Sequence, residues 1–231
     1  YHLPKLHEAG IINLDPKIYE AIKKIASLNL NAEILAHSLA KKPGIDKAKE
    51  CAVDRVVVLY PTSKIHLETK VYKTEDEAIQ IIEEHIKYAV SLGLKVRFTP
   101  EDATRTEFDF LVRACNAAIN AGADRISYAD TLGIMQPHIF YDKVKKLKDT
   151  ILPCEMDLHC HDDFGLALAN GMAGIRAGAN CIHVCVNGLG ERTGVPDLAE
   201  TIMSYHILEK LEKYNIEHIM EVSEYVERAS G

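Results

Sequence analysis

The stretch D-R-V-V-V-L-Y at 54–60 decides the fold. Its apolar run is β-branched and unbroken, and short enough to be a strand covered on both faces. K-T-E-D-E at 73–77 then supplies a capping box and an acidic first turn for a helix over 74–92. Gly93 stops that helix, and L-K-V-R-F at 94–98 reads as the next strand. The same alternation recurs outward from here. Strands are expected at 32–37 (AEILAH), 125–129 (RISYA), 155–161 (EMDLHCH) and 181–186 (CIHVCV), six in all. Helices are expected at 16–28, 45–51, 106–121, 137–148, 166–177, 196–214 and 217–229. Asp15-Pro16 opens the first of these as N-cap and first helical position. Residues 1–11 read as the tail of a helix ending near Gly10.

Strand and helix alternating at a repeat of about 30 residues is the pattern of βα units around a parallel sheet. Polar residues able to do chemistry follow the strand ends: Ser38, Thr62-Ser63, Glu101-Asp102, Asp130-Thr131, His159 with His161 and Asp162, and Asn187-Gly188. A (β/α)8 TIM barrel builds its site from those loops. A doubly wound open sheet is the alternative. No G-x-G-x-x-G follows an early strand, and candidates after every strand suit a closed ring better than one crevice.

The chemical centre is L-H-C-H-D-D-F-G at 158–165. On a strand, residues i and i+2 share a face, so His159 and His161 aim at one point while Cys160 points away. Two imidazoles so placed are half of a divalent-metal site. Alone, they read first as a hydrogen-bonded pair on a half-buried strand, and the rest of the chain is what favours the metal. Composition narrows the partners. The net charge is −7, with lysines and acids interspersed, which argues against nucleic acid and anionic membrane. No run approaches the roughly 18 apolar residues of a membrane span, and the start does not resemble a signal peptide. Cys51, Cys115, Cys154, Cys160, Cys181 and Cys185 form no C-x-x-C pair and read as reduced thiols of a cytoplasmic protein. The spacing of Cys181 and Cys185 on an expected strand suits core residues rather than ligands.

Several motifs together resemble one family. They are T-S-K-I-H (62–66), R-F-T-P-E-D-A-T-R-T-E (97–107), Y-A-D-T-L-G-I-M-Q-P (128–137), H-C-H-D-D-F-G-L-A-L-A-N (159–170) and V-N-G-L-G-E-R-T-G (186–194). The chain is similar over most of 30–200 to the 2-isopropylmalate, homocitrate and citramalate synthases, metal-dependent TIM-barrel acetyl-CoA synthases related to hydroxymethylglutaryl-CoA lyase. Val195 and Ala129 lean towards the homocitrate branch. The resemblance implies a Claisen-type condensation of acetyl-CoA, as co-substrate, with a 2-oxo acid on a divalent metal ion (Zn, Mn, Mg, Co or Fe). It implies His159 and His161 as metal ligands and Glu101 as the residue assisting proton transfer. Thr131, Ser63, His66 and Asn187 would bind substrate. Asp162 and Asp163 would support the ligands, and Glu191 and Arg192 would pair with each other or touch substrate. It further implies a homodimer whose partner subunit completes the site.

The resemblance also calls for an acidic ligand and an arginine on a first barrel strand, and no such motif is present. A second strand should follow E-A-G-I at 8–11, yet Ile12 leads almost directly into a helix. The six expected strands match barrel strands three to eight. Two missing neighbours would open long edges in a buried parallel sheet. The expectation is therefore that these residues are pieces of a longer protein joined between Ile11 and Ile12. Residues 1–213 would form the catalytic barrel, incomplete on its N-terminal side, and 214–231 the start of a C-terminal helical extension.

Overall fold

The computed structural model describes residues 6–11 and 16–231, with the backbone alone for 6–11. Seven parallel strands pair in chain order: β1 (Leu6–Ile11), β2 (Glu33–Leu39), β3 (Arg55–Pro61), β4 (Lys95–Glu101), β5 (Arg125–Asp130), β6 (Glu155–Cys160) and β7 (Cys181–Ile182). Helices α1 (Pro16–Ala26) and α2 (Lys42–Glu50) join the first three strands. The one-turn α3 (Lys64–His66), a π-turn at Leu67–Val71 and α4 (Glu75–Ser91) lie between β3 and β4. Then α5 (Phe108–Asn120), α6 (Pro137–Thr150) and α7 (Ala167–Arg176) separate the remaining strands, and α8 (Leu198–Leu208) and α9 (Ile219–Ser230) follow.

Strand parity divides the molecule into two layers. Val56, Val58, Val96, Phe98, Ile126, Tyr128, Met156 and Leu158 are buried among the helices. The alternate positions Arg97, Thr99, Ser127 and Asp157 are equally buried but polar, and lie on the opposite face. That face is the inside of a curl. Arg97 on β4 contacts His37 on β2 and His183 beyond β7. Strands lie about 4.8 Å apart in a sheet, so one arginine could not span from β2 to β7 if the sheet were flat. The curl is that of a (β/α)8 barrel. Local chemistry supports it. Thr74 and Glu77 form the expected capping box on α4, and α7 seats tightly because a Cβ at Gly174 would come within 2.4 Å of Leu158 Cδ1.

Several expectations change. Residues 6–11 form β1, not a helix tail, so the described residues hold seven strands rather than six. One of the two barrel strands expected to be missing is therefore present. Its pairing explains why the sequence did not declare it. Leu6, His7 and Glu8 align with Glu33, Ile34 and Leu35, and the register shifts before Ile11 meets His37. A six-residue strand of L-H-E-A-G-I has little β-branched content, so pairing with β2 decides its conformation. The supposed junction at Ile11–Ile12 runs into residues 12–15, outside the described residues. The strand expected at 181–186 is only Cys181–Ile182. The helix expected over 196–214 ends at Leu208, and Lys210 in the turn beyond has φ +55°.

Candidate active site

The C-terminal ends of β3 to β7 gather the chemistry-bearing side chains. His159 lies beside Ala129 in the register of β5 and β6. His161 follows two residues later, and the two rings meet edge to face with centroids 4.9 Å apart. The two imidazoles are therefore neighbours on one face of the strand end, as the period of two requires.

Each ring has a defined neighbour at Nδ1. His161 Nδ1 is 3.3 Å from the Gly194 carbonyl oxygen, which can only accept, so in the neutral ring Nδ1 is the nitrogen that carries the proton and Nε2 the one with the lone pair. That is how a second partner prepares an imidazole for a metal. The same carbonyl accepts from Asp162 N at 3.1 Å. Gly194 has φ +97°, and a Cβ there would lie 1.9 Å from the Gly188 carbonyl oxygen. Only glycine permits this turn. His159 Nδ1 is 3.1 Å from His183 Nδ1. His183 Nε2 is in turn 2.7 Å from Arg97 Nη1 and 3.4 Å from Asp157 Oδ2. The His159 and His161 donor set suits a divalent metal but supplies two ligands. Among the described residues no group of three or more His, Cys, Asp or Glu stands ready to hold an ion.

The other expected residues fall into two groups. Glu101, Ser63 and His66 line the ends of β3 and β4. Glu101 accepts from Lys70 Nζ at 2.6 and 2.9 Å, and His66 Nδ1 is 3.5 Å from its Oε1. That contact is not a hydrogen bond. His66 Nδ1 and the buried Ser63 hydroxyl thus have no hydrogen-bond partner among the described residues. Thr131 Oγ1 accepts from Asp102 N at 2.9 Å, which leaves its hydroxyl proton to donate. Asn187 turns elsewhere. Its Nδ2 donates to Ser223 O at 3.0 Å, and Ser223 Oγ donates to its Oδ1 at 2.6 Å, which ties the loop after β7 to α9.

Arg192 does not pair with Glu191. Its guanidinium grips Asp163 at 2.7 and 2.6 Å and the Thr131 carbonyl at 2.8 Å. Arg192 also holds the Asp163 carboxyl below its ordinary range. Asp162 Oδ1 accepts from Ala167 N at the start of α7. Burial raises the Asp130 pKa, although its carboxylate accepts from Met135 N and Thr104 Oγ1.

Sequence reasoning did not single out His37, Arg97, Asp157 or His183. These residues meet inside the barrel. Burial would push the Asp157 carboxyl up, but His183, Arg97 and Arg125 together hold it below the ordinary value. Strand parity was the available signal: Arg97 shares a face with Glu101, and Asp157 with His159.

Fold and mouth define a protein of the (β/α)8-barrel class whose polar residues converge at the C-terminal ends of the strands. The HMGL-like family profile matches residues 6–226, and the chain belongs to that family. Homocitrate synthases of Saccharolobus solfataricus and Sulfurisphaera tokodaii are 43% and 42% identical to it over 230 residues, covering 97% of this chain and 50% of theirs. The chain thus spans half the length of these relatives. Among solved structures, an HMG-CoA lyase of Bacillus subtilis superposes with a TM-score of 0.80 at 18% identity, covering 94% of this chain and 78% of that one. An HMG-CoA lyase of Acinetobacter baumannii, in complex with coenzyme A and 3-methylmalate, gives 0.83 at 16% identity, covering 96% and 78%. At such identities these two structures speak for the fold alone.

Proposed function

We propose that this chain is the barrel of a homocitrate synthase, an acyltransferase that condenses acetyl-CoA with 2-oxoglutarate and releases CoA when water hydrolyses the thioester. The observation that carries the reading is the 43% identity with a homocitrate synthase over 230 residues. The geometry of the strand ends is consistent with it.

His159 and His161 would hold a divalent metal through Nε2, with the Gly194 carbonyl fixing the His161 tautomer. The bound metal supplies Lewis-acid polarisation of the 2-oxo carbonyl. Ser63 Oγ–H, Thr131 Oγ1–H and His66 Nδ1 are the groups left to hydrogen-bond the 2-oxo acid, and an unpartnered buried hydroxyl gains most from such a ligand. Glu101 assists removal of the proton from the acetyl methyl group, and Lys70 positions its carboxylate meanwhile. Asn187 acts indirectly, by fixing the loop after β7 against α9. The acidic ligand and the arginine that the resemblance calls for are not among the described side chains.

We assign residues 1–213 to the catalytic barrel and 214–231, which contain α9, to the start of a helical extension that a homodimer partner would use to complete the site. All six cysteines are thiols outside any disulfide, which fits a reducing, cytoplasmic setting. Among the described residues, no helix is long and apolar enough to cross a membrane.

The test is acetyl-CoA-dependent thiol release by the purified protein with 2-oxoglutarate, 2-oxoisovalerate and pyruvate in parallel, with and without chelator. Turnover with 2-oxoglutarate that chelator abolishes is the expected result. A preference for 2-oxoisovalerate would transfer the reading to 2-isopropylmalate synthase, and one for pyruvate to citramalate synthase. No turnover with any of the three defeats it.

A further inference from the structure

The outer wall of the barrel holds a cleft that the proposed condensation does not use. Helices α5 and α6 stand apart at the level of the turn after β4, and a cavity of about 330 Å³ lies between them. That is within the range of small-ligand sites, about 300–1,000 Å³. Phe108 and Leu111 of α5 and Leu147 of α6 form apolar walls. Arg105, Lys143 and Lys146 line the cleft against a single carboxylate, Glu107. Two of these cations are only loosely engaged. Lys143 Nζ is 3.4 Å from the Thr104 carbonyl oxygen, and Lys146 Nζ lies 3.8 Å over the Phe108 ring. Arg105 is committed to Asp102 at 2.6 Å.

A second observation is independent of those charges. Tyr128, only 2% exposed, also lines the cleft. Its ring packs on Phe140 with centroids 5.5 Å apart. No described residue hydrogen-bonds its hydroxyl, which is left to solvent or to a ligand in the cleft. Burial, then the nearby Asp130 charge, raises its pKa, so it stays a neutral donor. The N-cap residue of α5, Glu107, makes no side-chain cap, so the first amides of that helix also lack a side-chain acceptor.

We propose that the cleft between α5 and α6 binds the phosphate group of a small phosphorylated molecule, with Lys143 and Lys146 at the rim and the Tyr128 hydroxyl at the floor. A phosphate dianion satisfies two ammonium groups and one hydroxyl donor together, and the apolar walls take the organic body. Tyr128 belongs to the helix-facing side of β5, whereas His159 lies on the inner side of β6. The cleft is therefore separate from the strand-end site and does not depend on the proposed condensation.

Calorimetric titration of the purified protein with inorganic phosphate, phenyl phosphate and citrate tests this. Phenyl phosphate should bind saturably and more tightly than inorganic phosphate, with citrate weaker than both. Tyr128→Phe, which keeps the ring on Phe140, should weaken phenyl phosphate about fivefold, and Lys143→Met with Lys146→Met at least about tenfold. His159→Ala should leave that binding unchanged. The proposal is overturned if phenyl phosphate does not saturate, if citrate binds as tightly, or if affinity depends on His159 rather than on Tyr128 and the two lysines. Circular dichroism melts of each variant separate lost binding from lost folding.

Discussion

Replacing Gly194 by alanine tests how the loop after β7 prepares the His161 imidazole. The new Cβ would sit 1.9 Å from the Gly188 carbonyl oxygen, where at least 3.0 Å is needed, and φ at this position is +97°. The turn must open by an ångström or more, and it carries the carbonyl that accepts from His161 Nδ1 at 3.3 Å and Asp162 N at 3.1 Å. The first of these contacts is already long, and a shift of that size breaks it. The imidazole then loses both its tautomer control and its orientation. Loss of such a partner typically costs about 10–100-fold in metal affinity, and the strained backbone adds about 1–3 kcal/mol of destabilisation. Gly165→Ala is the matched control. Gly165 also has positive φ (+69°), but nothing lies within 4 Å of its added Cβ. It should lose about 1–2 kcal/mol of stability and keep its metal affinity. Titration calorimetry with Zn²⁺ and Mn²⁺, alongside thermal melts, reads both effects. A Gly194→Ala protein with wild-type metal affinity, destabilised no more than Gly165→Ala, would refute the reasoning.

His159→Ala removes one of the two converging imidazoles, and stoichiometric metal binding should disappear. One metal per chain by elemental analysis after gel filtration would strike His159 from the ligand set. Glu33→Gln probes the far end of the barrel, where Glu33 meets Lys95 at 2.7 Å and the buried Arg55 at 3.3 Å. Burial favours the protonated carboxyl, but Lys95 and Arg55 outweigh it and lower the folded pKa. The stabilisation is therefore complete above the unfolded value of about 4.3 and is lost as pH falls through the lower folded value. The variant should be less stable than wild type by about 1.5 kcal/mol at pH 7. In urea melts from pH 7 to pH 3 that gap should close on the acid side, and a gap independent of pH contradicts the assignment.

Much of the barrel was legible because parallel strands covered on both faces are locally conspicuous. D-R-V-V-V-L-Y at 54–60 declares β3 through β-branched residues alone, and the Thr74–Glu77 box declares the start of α4. L-H-E-A-G-I did not declare β1, because its conformation comes from hydrogen bonds to β2 across the register shift before Ile11. At the candidate site, H-x-H carried its own geometry, since a period of two needs nothing beyond a strand. The destination of Asn187 was not legible, because Ser223 reaches it only through the packing of α9 on the loop after β7.

The sequence by itself determined the βα order, the shared face of His159 and His161, and the family resemblance, since each depends on neighbours along the chain. Only the tertiary structure decided that Arg97, Asp157, His37 and His183 meet. They come from four strands or strand ends and touch because the sheet curls on itself. It also decided that Gly194 offers its carbonyl to His161 and that Tyr128 lines a cleft between α5 and α6. A buried charge or donor takes its meaning from whatever closes around it, and that is set by side chains distant in sequence.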